Sequence, residues 1–163
     1  MVLFFIDLAT RRVQIGGISA RANGLWMNQI ARNLTDAEDG LLKGKRYLIH
    51  DRDPLFTTEF VSALAEAGTR SVKLPPRSPN LNSYAERFVR SIKESGLERM
   101  ILFGEDALGT AVREFLAHYH GERNHQGIGN RLIIPDRRLL DHHGPVRCRS
   151  RLGGMLNYYY RAA

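Results

Sequence analysis

The chain has 163 residues, 43% of them hydrophobic and 25% charged, a composition typical of one ordinary globular domain. No apolar run approaches the roughly 20 residues that span a bilayer, and the apolar first ten residues contain Asp7 and no basic segment, which disfavours a signal peptide. A single cysteine, Cys148, excludes a disulfide framework and a zinc finger and fits a reducing cytoplasm.

Basic residues outnumber acidic ones by 24 to 17, and the excess is concentrated near the C-terminus. Residues 1–122 carry 16 basic and 15 acidic side chains, whereas residues 123–163 carry 8 and 2. A concentrated basic segment on a chain with a pI near 10.0 indicates a polyanionic partner, with a merely solubilising surface as the alternative.

The first half of the chain alternates predicted strands and helices. Residues 1–18 predict two strands joined by a tight turn, and the apolar spacing from Asn23 to Leu34 predicts a helix. Next come a short buried parallel strand in RYLIHD, a helix in TTEFVSALAEAG that ends at Gly68, and a further strand in RSVKL.

The second half is predicted to be helical and then irregular. PPRSPNLN is a proline-punctuated loop, after which helices are expected from Ser83 to Arg99 and from Asp106 to His120. Beyond Gly121 the arginine-rich and glycine-rich chain predicts no regular element. Strands that alternate with helices indicate an α/β layer fold, and the opening hairpin makes its sheet mixed.

Two acidic residues occupy positions suited to a metal site. Asp51 closes the RYLIHD strand, at the edge where open α/β sheets build sites, and Glu86 lies in the first turn of the next helix. Arg90 and Lys93 follow Glu86 by four and seven residues and share its helix face. Two carboxylates can share a hard divalent cation, and basic residues beside them would bind phosphates.

Structural roles are the alternative for both acids. The segment from Ser83 to Glu86 fits a capping box, and Asp51 could begin an Asx turn before Pro54. Asp51 and Asp53 are a poor chelating pair by themselves, because alternate positions of a strand point to opposite faces.

Three stretches of the sequence resemble one protein family. LIHDRDPLFTTEF, VKLPPRSPNLNSYAERFVRSIKESGLERMILF and HYHGERNHQGIGNRL are similar to the integrase core shared by bacterial insertion-sequence transposases and retroviral integrases. Asp51 and Glu86, 35 residues apart, match the second and third acids of that family's Asp, Asp, Glu triad. The pattern that follows the core is matched by Tyr119, His120, Arg123, His125, Ile128 and Gly129.

The resemblance implies a fold, a chemistry and partners. The implied fold is a ribonuclease-H-like mixed sheet flanked by helices, with a triad that binds two Mg²⁺ or Mn²⁺ ions for phosphodiester cleavage and strand transfer in DNA integration. Asp51 and Glu86 are then the catalytic metal ligands. The implied partners are the DNA of the element ends and the target DNA, and no membrane is expected. Whether the protein forms a homo-oligomer is left open. The expected location is the bacterial cytoplasm, at the nucleoid. The expected DNA-binding residues are Arg77, Arg87, Arg90 and Lys93.

The sequence departs from the family at the first acid. The family's first Asp lies within its first strand, whereas Asp7 lies in FFIDLATRRV, which resembles the turn between the family's second and third strands. Asp7 is therefore expected to accept amide hydrogen bonds within a turn. We expect the first strand and its Asp to lie outside this chain, which would leave the enzyme weak or inactive; Asp7 as the first ligand is the alternative.

The expected organisation is a partial catalytic core over residues 1–122 and a basic extension, packed on or beside it, over residues 123–163. A non-catalytic DNA-binding remnant of a transposase is the alternative function, and an unrelated α/β nucleic-acid module is the third. The three histidines His118, His120 and His125 lack the ligand spacing of a zinc site. The aromatic run Tyr158–Tyr160 is expected to dock on the core rather than stack on unpaired bases.

Overall fold

The structure, a computed structural model, describes residues 1–136 and 144–162. The chain divides into two compact units, one of residues 1–5 and 14–86 and the other of residues 6–13 and 87–163. A boundary between residues 122 and 123 stays a prediction, and residues 137–143 and 163 of the expected extension lie outside the described residues. Across the described ranges, no helix is long and apolar enough to cross a bilayer.

The chain up to residue 73 forms four strands and two helices, and every element predicted there is confirmed. Each helix begins at a side-chain cap, with Asn23 Oδ1 accepting from the Trp26 amide and Thr57 Oγ1 accepting from the Phe60 amide. The second helix is followed by Gly68 at a φ of 78°, the left-handed conformation that favours glycine. The elements are β1 (Val2–Ile6), β2 (Val13–Ile18), α1 (Gly24–Leu34), β3 (Tyr47–His50), α2 (Thr58–Glu66) and β4 (Arg70–Lys73).

One apolar cluster joins these elements. The helices contribute residues with almost no exposed surface, among them Met27 of α1 and Phe60 of α2. Phe5 of β1 and Leu48 of β3 pack into the same cluster. Both pairs of strands therefore lie against one core formed largely by α1 and α2.

The strands form small separate sheets. β1 neighbours β2, β3 pairs with β4 in parallel, and the last two strands of the chain pair with each other. The α/β class is confirmed, but the described strands make three two-stranded sheets where we expected one mixed sheet.

The prediction of a fully buried strand in RYLIHD is wrong for one face of β3. Leu48 and His50 are buried, whereas Tyr47 and Ile49 are 54% and 44% exposed. Because side chains alternate along a strand, β3 buries one face only, and its buried polar residue, His50, lies on that face.

The rest of the chain contains two long helices and a hairpin. Phe88 of the first helix packs edge-on against Phe115 of the second, with ring centroids 6.0 Å apart. The first helix ends at Ser95 rather than Arg99, because Gly96 leaves helical geometry and a short 3₁₀ turn follows. The elements are α3 (Ser83–Ser95), α4 (Gly104–Gly121), β5 (Val146–Arg151) and β6 (Leu156–Arg161).

Two segments predicted as irregular contain regular structure. The proline-punctuated loop includes a 3₁₀ helix over Pro79–Asn82, directly before α3. The segment beyond Gly121 contains the antiparallel hairpin of β5 and β6, which the sequence did not predict.

Candidate active site and nucleic-acid interface

Asp51 lies immediately after β3, at the carboxyl end of the parallel β3–β4 pair. It is exposed, and its Oδ1 accepts a hydrogen bond of 3.1 Å from the Asp53 amide. The Asx turn that we considered as the alternative role is thus present, and it uses one of the two carboxylate oxygens. The turn therefore holds the Asp51 carboxylate in position through Oδ1 and does not use Oδ2.

Backbone and side-chain bonds also fix the position of Asp51. The Asp51 carbonyl accepts a 2.7 Å hydrogen bond from His50 Nδ1, so this ring nitrogen carries the proton. His50 Nε2 then accepts from the Ser71 hydroxyl, 2.7 Å away on β4. Burial lowers the pKa of His50, although its bond to the Asp51 carbonyl acts in the opposite direction. A neutral imidazole thus connects Asp51 to the neighbouring strand.

His50 is a positioning residue that our sequence reasoning missed. It alternates with Leu48 on the buried face of β3, so the pattern marks it only as a core position. A polar residue in that pattern, directly before the candidate acid, is the signal that could have identified it.

Glu86 lies in the first turn of α3 and is exposed. The capping box that we considered is not formed, because Ser83 has helical backbone angles (φ −56°, ψ −28°) and an N-cap residue does not. No residue in the described ranges makes a hydrogen bond or an ion pair with the Glu86 carboxylate.

The expected DNA-binding residues are all exposed. Arg90 and Lys93 lie within about 40° of Glu86 around the axis of α3, whereas the buried Phe88 and Ile92 lie on the opposite side. Arg87 is about 100° from Glu86, beside that face. Arg77 belongs to the loop before α3 and has a φ of 57°.

The side chains of Asp51 and Glu86 are of the chemical type that binds a hard divalent cation. Asp51 and Glu86 offer exposed carboxylate oxygens, which Mg²⁺ and Mn²⁺ prefer. Within residues 1–136 and 144–162, no group of three or more His, Cys, Asp or Glu residues is arranged to bind a metal ion. The separation of Asp51 from Glu86 stays a prediction.

Asp7 forms the turn that the sequence predicted. Its Oδ1 accepts hydrogen bonds from the amides of Ala9 at 2.9 Å and Thr10 at 3.4 Å, directly after β1. The expectation of a turn-forming Asp is confirmed, and these bonds direct its carboxylate to the turn's own backbone.

The histidine-containing motif after the core makes structural contacts. His125 Nε2 donates to the Tyr119 carbonyl at 2.7 Å, and the two rings lie 4.6 Å apart. His120 Nε2 accepts from the Val13 amide at 3.0 Å, and Arg123 donates to the Ser91 hydroxyl. The motif thus ties α4 to α3 and to the start of β2.

A buried carboxylate that we did not predict lies at the end of α4. Glu122 accepts hydrogen bonds from Arg151 at 2.9 and 2.8 Å and from Arg149 at 3.2 Å, and His118 Nδ1 lies 3.2 Å away. Burial favours the neutral acid, but the arginine and histidine bonds prevail and lower the pKa of Glu122. His118 is therefore part of the hydrogen-bond network around Glu122.

Comparison with known proteins supports the resemblance over part of the chain. Residues 67–132 match the family model of the integrase core domain. The match contains Glu86 and the Tyr119–Gly129 motif but begins after Asp51. No curated protein matches the chain. Residues 67–132 of this chain are therefore similar to the integrase core domain, as the sequence predicted, and domains of that family act on DNA.

Proposed function

We propose that the chain is the catalytic core of an integrase or transposase that acts in DNA integration by metal-dependent phosphodiester cleavage and strand transfer. The observation that carries the proposal is the placement of Glu86. This acid lies inside the matched segment, in the first turn of α3, and it is exposed and not part of the capping box considered for it.

In this proposal Asp51 and Glu86 are the catalytic metal ligands, with carboxylates within roughly 8 Å of each other. Mg²⁺ or Mn²⁺ bound there would activate a water, and then a DNA 3′-hydroxyl, for in-line attack on phosphodiesters. His50 orients Asp51 through its backbone carbonyl. Arg90 and Lys93 hold the DNA backbone on the Glu86 face of α3, with Arg87 and Arg77 beside it, which sets register without reading sequence.

We propose further that a strand outside the residues that the structure describes completes the ribonuclease-H-like sheet. β1 and β3 belong to different two-stranded sheets, yet both contribute to one apolar core. A strand between them would join the two sheets and could carry the first Asp. The amide bonds made by Asp7 support this view, because they direct that carboxylate to its own turn.

The activity test is nicking of supercoiled plasmid with Mn²⁺ by the chain and by its Asp7→Ala and Glu86→Ala variants. We expect little or no nicking by the chain alone, because two-metal catalysis needs anionic ligands for both ions. Clear activity that both substitutions abolish would make Asp7 the missing ligand and overturn the incomplete-triad proposal.

Metal binding tests the pair without requiring turnover. We expect Asp51→Asn and Glu86→Gln each to weaken Mn²⁺ binding, measured by electron paramagnetic resonance. The double variant should lose little more than either single one, because two ligands of one ion are not additive. Glu94→Gln, an exposed acid further along α3, is the matched control and should bind as the unaltered chain does. Unchanged binding in both single variants would leave the non-catalytic DNA-binding remnant as the better description.

A further inference from the structure

The β5–β6 hairpin is anchored at its turn. Leu156, beside the turn, is buried. Arg151, which pairs with Leu156, donates hydrogen bonds to Glu114 within α4 and to Glu122 at the C-terminal end of α4. Arg149, two residue pairs further along the hairpin, also bonds Glu122. These contacts fix the turn-proximal half of the hairpin and neutralise two of its four arginines.

The open half of the hairpin keeps the remaining positive charge. Arg147 and Arg161 lie there, are exposed, and make no ion pair with the described residues. Arg161 donates to the Gly144 carbonyl at 3.1 Å, which holds its guanidinium in place while leaving further donors. Residues 144–162 contain no Asp or Glu, so the hairpin itself supplies nothing to oppose these charges.

The three tyrosines of β6 are not equivalent. Tyr158 and Tyr160 are half-buried and stack with ring centroids 5.9 Å apart, as docking side chains would. Tyr159 points to the opposite face and is 68% exposed. The hairpin's outer face, which carries this ring, consists of Val146, Cys148, Ser150, Asn157, Tyr159 and Arg161.

We propose that the outer face of the hairpin binds single-stranded DNA, with an unpaired base stacked on Tyr159 and an adjoining phosphate on Arg161. Arg161 is two residues from Tyr159 on one strand and shares its face, about 7 Å along the strand, which suits a base and its neighbouring phosphate. An exposed aromatic ring beside a cation that makes no ion pair with the described residues is an arrangement that binds unpaired bases without sequence preference. The inference rests on the proposed function only in taking DNA as the ligand.

The experiment measures binding of a fluorescent oligothymidine and of a duplex of the same length, in EDTA, by anisotropy. We expect Tyr159→Ala to weaken single-strand binding by about 10-fold and duplex binding by less than about 2-fold. Tyr159→Phe keeps the ring and should bind as the unaltered chain does. Tyr47→Ala removes another exposed tyrosine, on β3, and is the matched control.

The charge is tested separately. Arg161→Gln should reduce the slope of log K against log salt for the single strand by about 0.7, the value for one phosphate contact. Arg113→Gln, an exposed arginine of α4, should leave the slope unchanged. Circular dichroism melting confirms that each variant is folded before its affinity is compared.

Two outcomes would overturn the inference. They are an unchanged single-strand affinity in Tyr159→Ala, or equal losses of affinity for the single strand and the duplex. Because EDTA removes divalent metal, a failure of the metal site leaves this assay unaffected. Equally, a failure of the hairpin leaves Mn²⁺ binding at Asp51 and Glu86 unaffected.

Discussion

His50 and His120 differ in how the partner of each Nε2 atom can respond when the ring is protonated. His50 Nε2 faces the Ser71 hydroxyl, which can donate or accept. His120 Nε2 faces the Val13 amide, which can only donate. Burial lowers the pKa of both histidines, and for His120 the nearby Arg12 and His125 lower it further. Protonation of His120 would place two donors opposite each other.

We therefore expect acid to destabilise the fold through His120. A histidine whose folded pKa is lowered contributes full stability above its unfolded value of 6.5, and that stability is lost as the pH falls below it. His120→Gln keeps an acceptor for the Val13 amide without titrating. When the pH is lowered from 7.5 to 5.5, the melting temperature of this variant should therefore drop by about 2–4 °C less than the melting temperature of the unaltered chain does.

Circular dichroism melts at the two pH values check this prediction. Gln126→Ala, an exposed change in the neighbouring 3₁₀ turn, should follow the pH dependence of the unaltered chain. Parallel pH profiles for His120→Gln and the unaltered chain would show that the Val13 bond does not sense pH.

The hairpin and α4 are joined by the buried carboxylate of Glu122. Its side chain is 3% exposed, whereas Glu114, the other acid that Arg151 binds, is 42% exposed. Removing one partner of a buried ion pair leaves the other charge uncompensated, while an exposed pair contributes little.

Glu122→Gln should lower the free energy of unfolding by roughly 3 kcal/mol, and Glu114→Gln by less than about 1 kcal/mol. Urea unfolding at pH 7 measures both. Because the pKa of Glu122 is lowered in the fold, its contribution is present above the unfolded value of 4.5 and is lost as the pH falls below it. Equal losses in the two variants would mean that Glu122 is not the main anchor of the hairpin.

The same network explains why the hairpin could not be predicted from sequence. In VRCRSR the half-buried positions are Arg149 and Arg151, whose burial depends on Glu122 from another element. The strand therefore lacks the β-favouring apolar run by which β1 was recognised. By contrast, the helices α1 and α2 were predictable because their apolar spacing and their capping residues are local.

The candidate site, too, could be predicted from sequence only where the signal is local. The strand end at Asp51 and the helix start at Glu86 are marked in the sequence, and the structure places both acids at those positions. The contact of His50 with Ser71 could not be predicted, because it depends on how β3 and β4 pair. The observed register places Ser71 of β4 opposite Leu48, two residues before His50 on β3. The separate two-stranded sheets also depend on pairing between distant segments, which spacing does not reveal.

Taken across the chain, the net charge of +7 is less informative than its placement. Arg149 and Arg151 are neutralised by acids of α4 and its end. Arg90 and Lys93 on α3 are exposed and make no ion pair with the residues that the structure describes. Long-range attraction of DNA therefore depends on cations such as these rather than on the total count.

Duplex DNA affinity should consequently be largely independent of sequence and should fall steeply with salt, because bound cations displace the counterions condensed on DNA. Replacing Arg90 and Lys93 together by Gln should flatten the slope of log K against log salt by about two units, one for each phosphate contact. Anisotropy titrations between about 50 and 200 mM salt cover the range in which that difference is large. The double variant Arg32→Gln and Arg113→Gln removes the same charge from α1 and α4 and should keep the original slope. If both double variants flatten the slope equally, the DNA responds to net charge alone, and the path along the Glu86 face of α3 is wrong.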